Sequence, residues 1–161
     1  MGKIFKYAFI SFLLVVIQAT VLHLVSLNGI TPDLLTIWIA YIAILRGQVR
    51  ATVWGFGVGL LFDLITGNFI GLSALTKTIA GFTAGYFYNE TKTKLTLGSY
   101  RFLLVVLLAS FVQNVVFFVI FTRGTDLSIL RAVIEFGFTT TMYTGTLALI
   151  PVFIFSRRIA V

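Results

Sequence analysis

The chain's stock of carboxylate, imidazole and thiol is five carboxylates, one histidine and no cysteine. Without thiols there are no disulfides, thiolate metal sites or cysteine nucleophiles. His23 is the single candidate imidazole base and has no acid nearby in sequence to orient it, which leaves serine–histidine catalysis unsupported. With no second histidine to complete a metal site, His23 reads as an interfacial residue. Asp33, Asp63, Glu90, Asp126 and Glu135 are dispersed along the chain, so a catalytic carboxylate pair is hard to assemble. The GFGVG run at 55–59 contains G-x-G, but no strand precedes it, no third glycine falls at the required spacing and no Lys-Ser follows. The expectation is a protein with no enzymatic activity and no cofactor.

The elements that must position these residues are membrane helices. The 161 residues are 59% hydrophobic and 11% charged, with a mean hydropathy of +1.06. A soluble domain could not solvate such a surface. The apolar runs are long and unbroken, where a barrel would alternate with a period of two, so the fold class expected is all-α: one polytopic helical bundle over residues 1–161 with no soluble domain. The net charge of +7 is scattered in ones and twos. That argues against nucleic acid and for anionic lipid headgroups as a partner. The first apolar run is too long for a signal peptide and lacks an A-x-A site, so it reads as an uncleaved span.

Runs of roughly 20 apolar residues predict six transmembrane helices near 5–27, 32–46, 51–66, 70–88, 101–122 and 133–155, with the second and third short for a bilayer. Nine of the twelve basic residues, among them Lys3, Lys6, Arg46, Arg50, Lys92, Lys94 and Arg101, fall at the termini and on alternate connections. The positive-inside bias then makes both termini cytoplasmic. Thr31-Pro32-Asp33 reads as an outer helix start, with Thr31 as cap and Pro32 in the first helical position. Residues 89–100 form a polar cytoplasmic loop. In 123–135, Leu127, Leu130, Val133 and Ile134 at helical spacing suit either an outer interfacial helix or the start of the last span.

Within the apolar runs lie Asp63 and Lys77. Both fall within roughly 5–10 Å of the same membrane face at 1.5 Å per residue, so the first expectation is an Asp63–Lys77 pair that closes the hairpin of spans three and four. A partner or substrate contact and a proton-coupled path stay open beside it. Gly55 and Gly59, Gly67 and Gly71, and Gly81 and Gly85 are each four apart, and Gly137, Thr141, Thr144 and Ala148 form a similar stripe on the last span. Such spacing lets helix backbones approach closely, which predicts a compact unit of spans three and four. Ser110, Gln113 and Asn114 on span five, and Ser11 and Gln18 on span one, should face the bundle to bond across helices or to line a ligand site.

The segments PDLLTIWIAYIAILRG (32–47) and GFGVGLLFDLITGNFIGLSALTKTIAGFTAGY (55–86) resemble the MreD family of rod-shape membrane proteins. Pro32, Asp33, Arg46, Gly47, Gly55, Phe56, Gly59, Leu60, Asp63, Gly67, Gly71 and Leu72 carry the likeness, and Lys77 has no assigned place in the family pattern. The resemblance implies a scaffold of the peptidoglycan elongation machinery that binds the bitopic protein MreC in the membrane. It further implies the elongation glycosyltransferase and transpeptidase as associates, and MreB filaments on the cytoplasmic side. It also implies a distant fold kinship with the S subunits of energy-coupling-factor transporters, hence the alternative of a solute-binding subunit opening outward near Asp63, Lys77 and His23. The Ala-x-x-x-Ala docking pattern of those subunits is missing from span one, SFLLVVIQATVL. The residues expected to form the partner-binding surface or structural core are Pro32, Asp33, Arg46, Gly55, Gly59, Asp63, Gly67, Gly71, Lys77, Gly81 and Gly85, with the glycine faces of spans three and four as the docking surface.

Overall fold

The computed structural model describes residues 2–24, 31–67, 69–122 and 133–159, which are helical and contain no strand. Helix α1 spans Gly2–Leu24, α2 Leu34–Arg46, α3 Gln48–Thr66, α4 Leu72–Gly85, α5 Thr93–Leu97 and α6 Tyr100–Phe121; a π-helical turn, Val133–Phe138, leads into α7, Thr139–Ile159. The all-α class agrees with the sequence expectation. Three stretches, Gln48–Thr66, Tyr100–Phe121 and Val133–Ser156, are long and apolar enough to cross a membrane by length and composition.

Two boundaries differ from expectation for identifiable reasons. The third span is not short: α3 is 19 residues long because it starts at Gln48, directly after a one-residue joint. At that joint Gly47 takes φ 86°, its N–H closes α2 on the Ala43 carbonyl at 2.9 Å, and its carbonyl accepts from Ala51 N at 3.2 Å. A left-handed φ of this kind is what glycine adopts without a Cβ penalty. The short elements are instead α2, 13 residues and about 20 Å, and α4, 14 residues, which ends at Gly85. Beyond Gly85 the chain tightens into i→i−3 bonds from Tyr86, Phe87 and Tyr88. The polar stretch expected as a loop at 89–100 contains the short helix α5.

Helix α2 is the centre of the bundle and contacts each of the other α-helices. Leu35, Ile39, Ala40, Ile42, Ala43 and Ile44 are buried on it, and Phe102, Val106 and Ala109 of α6 close over them. The exterior carries Phe5, Val53, Phe56, Phe82, Leu104 and Phe153 exposed, a distribution suited to lipid. Lipid tails are as apolar as these side chains, so helix association there must come from close packing and polar contacts.

Close packing is most developed between α3 and α4. The two run antiparallel, and a Cβ on Gly59 would sit 2.5 Å from the Ser73 carbonyl oxygen and 2.6 Å from Ala74 Cα. One on Gly81 would sit 2.5 Å from the Ala51 carbonyl oxygen, and those on Gly55 and Gly85 would run into Lys77 and Gln48 backbone atoms. The expected compact unit is present, and it uses up the glycine faces. The surface anticipated for a partner span is therefore occupied within the chain. Gly67 and Gly71 are not a packing pair: they have φ 69° and 100° and form the turn between the two helices.

Replacing Gly59 with leucine should therefore lower stability by on the order of 1–3 kcal/mol or prevent folding, whereas Gly57→Leu, where nothing lies within 4 Å of the added Cβ, should change it by less than about 0.5 kcal/mol. Thermal denaturation of both variants in detergent checks this, and equal losses would refute the close-approach role.

Candidate functional site

The start of α2 gathers the buried polar side chains of the bundle. Asp33 is its N-cap, with φ −105° and ψ 90°, and its side chain accepts from Thr36 N at 3.0 Å. This corrects the expected start by two residues. Thr31 does not cap the helix and Pro32 is not in its first turn, because the Asp33 carboxylate reaches the amide three residues on and the Pro32 carbonyl is occupied elsewhere.

Asp33 Oδ2 accepts from Lys77 Nζ of α4 at 2.6 Å and from Gln113 Nε2 of α6 at 2.6 Å. The Thr36 hydroxyl lies 2.8 Å from the same oxygen and 2.6 Å from Gln113 Oε1, so its one proton bonds either. Asp33 N–H donates to Thr144 Oγ1 of α7 at 3.0 Å. Gln18 of α1 accepts from Leu34 N at 2.9 Å and donates to the Pro32 carbonyl at 2.9 Å. The first amides of α2 have no partner inside their own helix; Thr36 N is held by the Asp33 cap, and Asp33 N and Leu34 N by residues of neighbouring helices. Four helices meet at Asp33, and α1 joins them through the residues on either side of it.

The expected Asp63–Lys77 pair is not formed. Lys77 pairs with Asp33, and Asp63, fully buried, accepts from the backbone amides that open α4: Gly71 N at 2.9 Å, Ser73 N at 3.1 Å and Ala74 N at 3.3 Å. The Gly67–Gly71 turn brings the amides of the new helix over the carboxylate, and an anion is favoured at that positive end. Asp63 does close the hairpin of α3 and α4, but it does so as a cap supplied from the preceding helix.

The remaining polar faces behave as expected. Asn114 donates to Thr141 Oγ1 at 3.0 Å and to the Gly137 carbonyl at 3.3 Å, joining α6 to the π turn and α7. Ser11 accepts from Trp38 Nε1 at 2.8 Å, joining α1 to α2. Gly137, Thr141, Thr144 and Ala148 are buried. Among the described residues, no buried side-chain nitrogen or oxygen lacks a partner. Sequence reasoning passed over Thr36, for which the D-x-x-T spacing of Asp33 and Thr36 was the available signal, and placed Thr144 only in a packing stripe.

A cavity of about 340 Å³ lies beside the junction, lined by Asp33, Lys77, Gln113, Gln18 and Phe62 among others. At the far end of α2, Arg46 stacks over the Tyr7 ring, 5.4 Å from its centroid. The side chain of His23, together with Asp126 and residues 123–132 of the anticipated interfacial helix, lies outside the described residues; Val133, Ile134 and Glu135 begin the last helical stretch.

The profile of a family described as rod shape-determining protein MreD matches residues 3–158. No curated protein and no solved structure matches the chain.

If the junction holds the bundle together, Lys77→Met alone, which strands the buried Asp33 charge, should cost about 3–5 kcal/mol, and adding Asp33→Asn should recover much of that loss. Unfolding titrations in mixed detergent measure both, and a harmless Lys77→Met would end this assignment. Asp63→Leu should cost about 1–3 kcal/mol by orphaning the α4 amides, with Asp63→Asn costing less because one acceptor oxygen remains.

Proposed function

The chain belongs to the MreD family of rod shape-determining proteins, which are integral to the membrane, and from that premise we propose that it is a non-enzymatic scaffold of the bacterial cell-wall elongation machinery. In this reading it is one integral domain of six spans, α1, α2, α3, α4, α6 and α7, with both termini cytoplasmic. It holds the single span of MreC by lateral contact, and through MreC the elongation glycosyltransferase and transpeptidase, with MreB beneath the membrane.

The observation that supports this most is the internal satisfaction of the buried polar groups. Asp33, Lys77 and Gln113 bond one another and Asp63 bonds the start of α4, which suits a rigid support. With the glycine faces of α3 and α4 turned on each other, the proposed docking surface moves to the outward face of α3. There Val49, Val53 and Phe56 are exposed, and Gly57 leaves open space into which another helix can approach.

A second reading, a solute-binding subunit akin to those of energy-coupling-factor transporters, draws on the cavity of about 340 Å³ beside Asp33 and Lys77. Ligand binding would raise stability by about 2.7 kcal/mol at a hundredfold excess over Kd. A thermal shift with vitamins or lipid-linked precursors would favour it.

A photo-crosslinking residue at Val53 or Phe56 should capture MreC, and one at Leu104 or Leu108 of α6 should not. Capture from α6 alone would reassign the surface, and absence of any complex between well-expressed proteins would defeat the scaffold.

A further inference from the structure

A groove of about 720 Å³ runs between α1, α2 and α7 along α2, from Leu34 at its start to Arg46 at its end. Its walls are apolar, from Ile10, Leu14, Ile37 and Leu147, and one end of its rim carries Lys6 and Arg46. The two cations share this end because Arg46, at the end of α2, lies over the ring of Tyr7, the neighbour of Lys6 near the start of α1. Around them the rings of Tyr7, Trp38, Tyr41 and Phe155 follow one another at centroid distances of 5.8, 5.3 and 5.6 Å, with Trp38 fixed by its bond to Ser11. Among the described residues the ion pair found is Lys77–Asp33, and no carboxylate lies within 4.0 Å of Lys6 or Arg46. Aromatic rings with a polar edge collect at the headgroup level of a bilayer, so this end of the groove sits where lipid phosphates are.

We propose that this groove is a specific site for an anionic phospholipid of the cytoplasmic leaflet, whose phosphate lies between Lys6 and Arg46 and whose acyl chain follows Ile10, Leu14 and Ile37. The volume falls in the range of ligand pockets, roughly 300–1,000 Å³. Charge selects the occupant. On the topology proposed above, on which this inference rests, the rim is cytoplasmic, and a partner span would bring its own flanking lysines and arginines there. Like charges would then face one another. An anionic headgroup meets two cations that have no ion-pair partner among the described residues.

The test is native mass spectrometry of the full-length protein in detergent, titrated with phosphatidylglycerol and, separately, with phosphatidylcholine. Phosphatidylglycerol should bind at least about tenfold more tightly. The Lys6→Gln/Arg46→Gln variant should lose that preference, and Arg50→Gln/Lys94→Gln, which removes equal charge outside the groove, should keep it. Elution volume and lipid-free thermal stability of each variant report folding, and Leu147→Phe, which narrows the groove with no change of charge, should weaken binding if the first variant folds poorly. Equal affinity for the two lipids, or equal loss in both charge variants, overturns the proposal. Tenfold tighter binding of undecaprenyl phosphate than of phosphatidylglycerol would also overturn it, assigning the groove to a lipid-linked precursor. The orientation is read separately by labelling a cysteine introduced at Lys92, so a failed topology and a failed site are distinguishable.

Discussion

One carboxylate organises this bundle. Asp33 begins α2, the buried central helix, and in a single place it caps that helix, neutralises Lys77 and accepts from Gln113, while its own amide is held by Thr144. Each of those bonds satisfies a group that would be costly to leave alone in hydrocarbon. The pair adds little net stability by itself once desolvation is counted. What it supplies is geometry, since Lys77 of α4 and Gln113 of α6 must reach one carboxylate oxygen while Thr144 of α7 accepts the Asp33 amide and Gln18 of α1 bonds the residues on either side.

The second constraint is the interface of α3 and α4. Four glycines let the two backbones meet directly, and Asp63 locks the turn between them by bonding the free amides of α4. Against lipid there is no apolar driving force to pull helices together, so contact at backbone distance and charge-assisted bonds do the holding. Asp33 unites the helices around a centre, and Asp63 attaches α3 to that centre through α4.

The sequence made much of this legible, for reasons particular to a membrane chain. Every buried charge or amide in an apolar run is conspicuous, so Asp63, Lys77, Gln18, Gln113 and Asn114 could all be picked out, as could the glycine spacings. Depth was readable too, because rise per residue is fixed. What depth does not give is direction around the helix axis. Asp33 and Asp63 lie at similar depth, both within reach of Lys77 by that measure, and the choice between them depends on the Gly67–Gly71 turn, which aims backbone amides at Asp63 and leaves Lys77 to Asp33. The same limit explains the glycines: spacing announces a close approach but does not say whether the approaching helix belongs to the same chain. The membrane family was recognisable from 32–47 and 55–86 alone, and the rest of the chain contributed apolarity without motif.

The cap of α2 is assembled from residues as far apart as Gln18 and Thr144. During synthesis the ribosome delivers α2 long before α7, so the amino end of the central helix stays unfinished until Thr144 is made. The junction is completed only when the last helix arrives, and a chain truncated before Thr144 would leave the Asp33 amide, in the middle of the protein, without its acceptor.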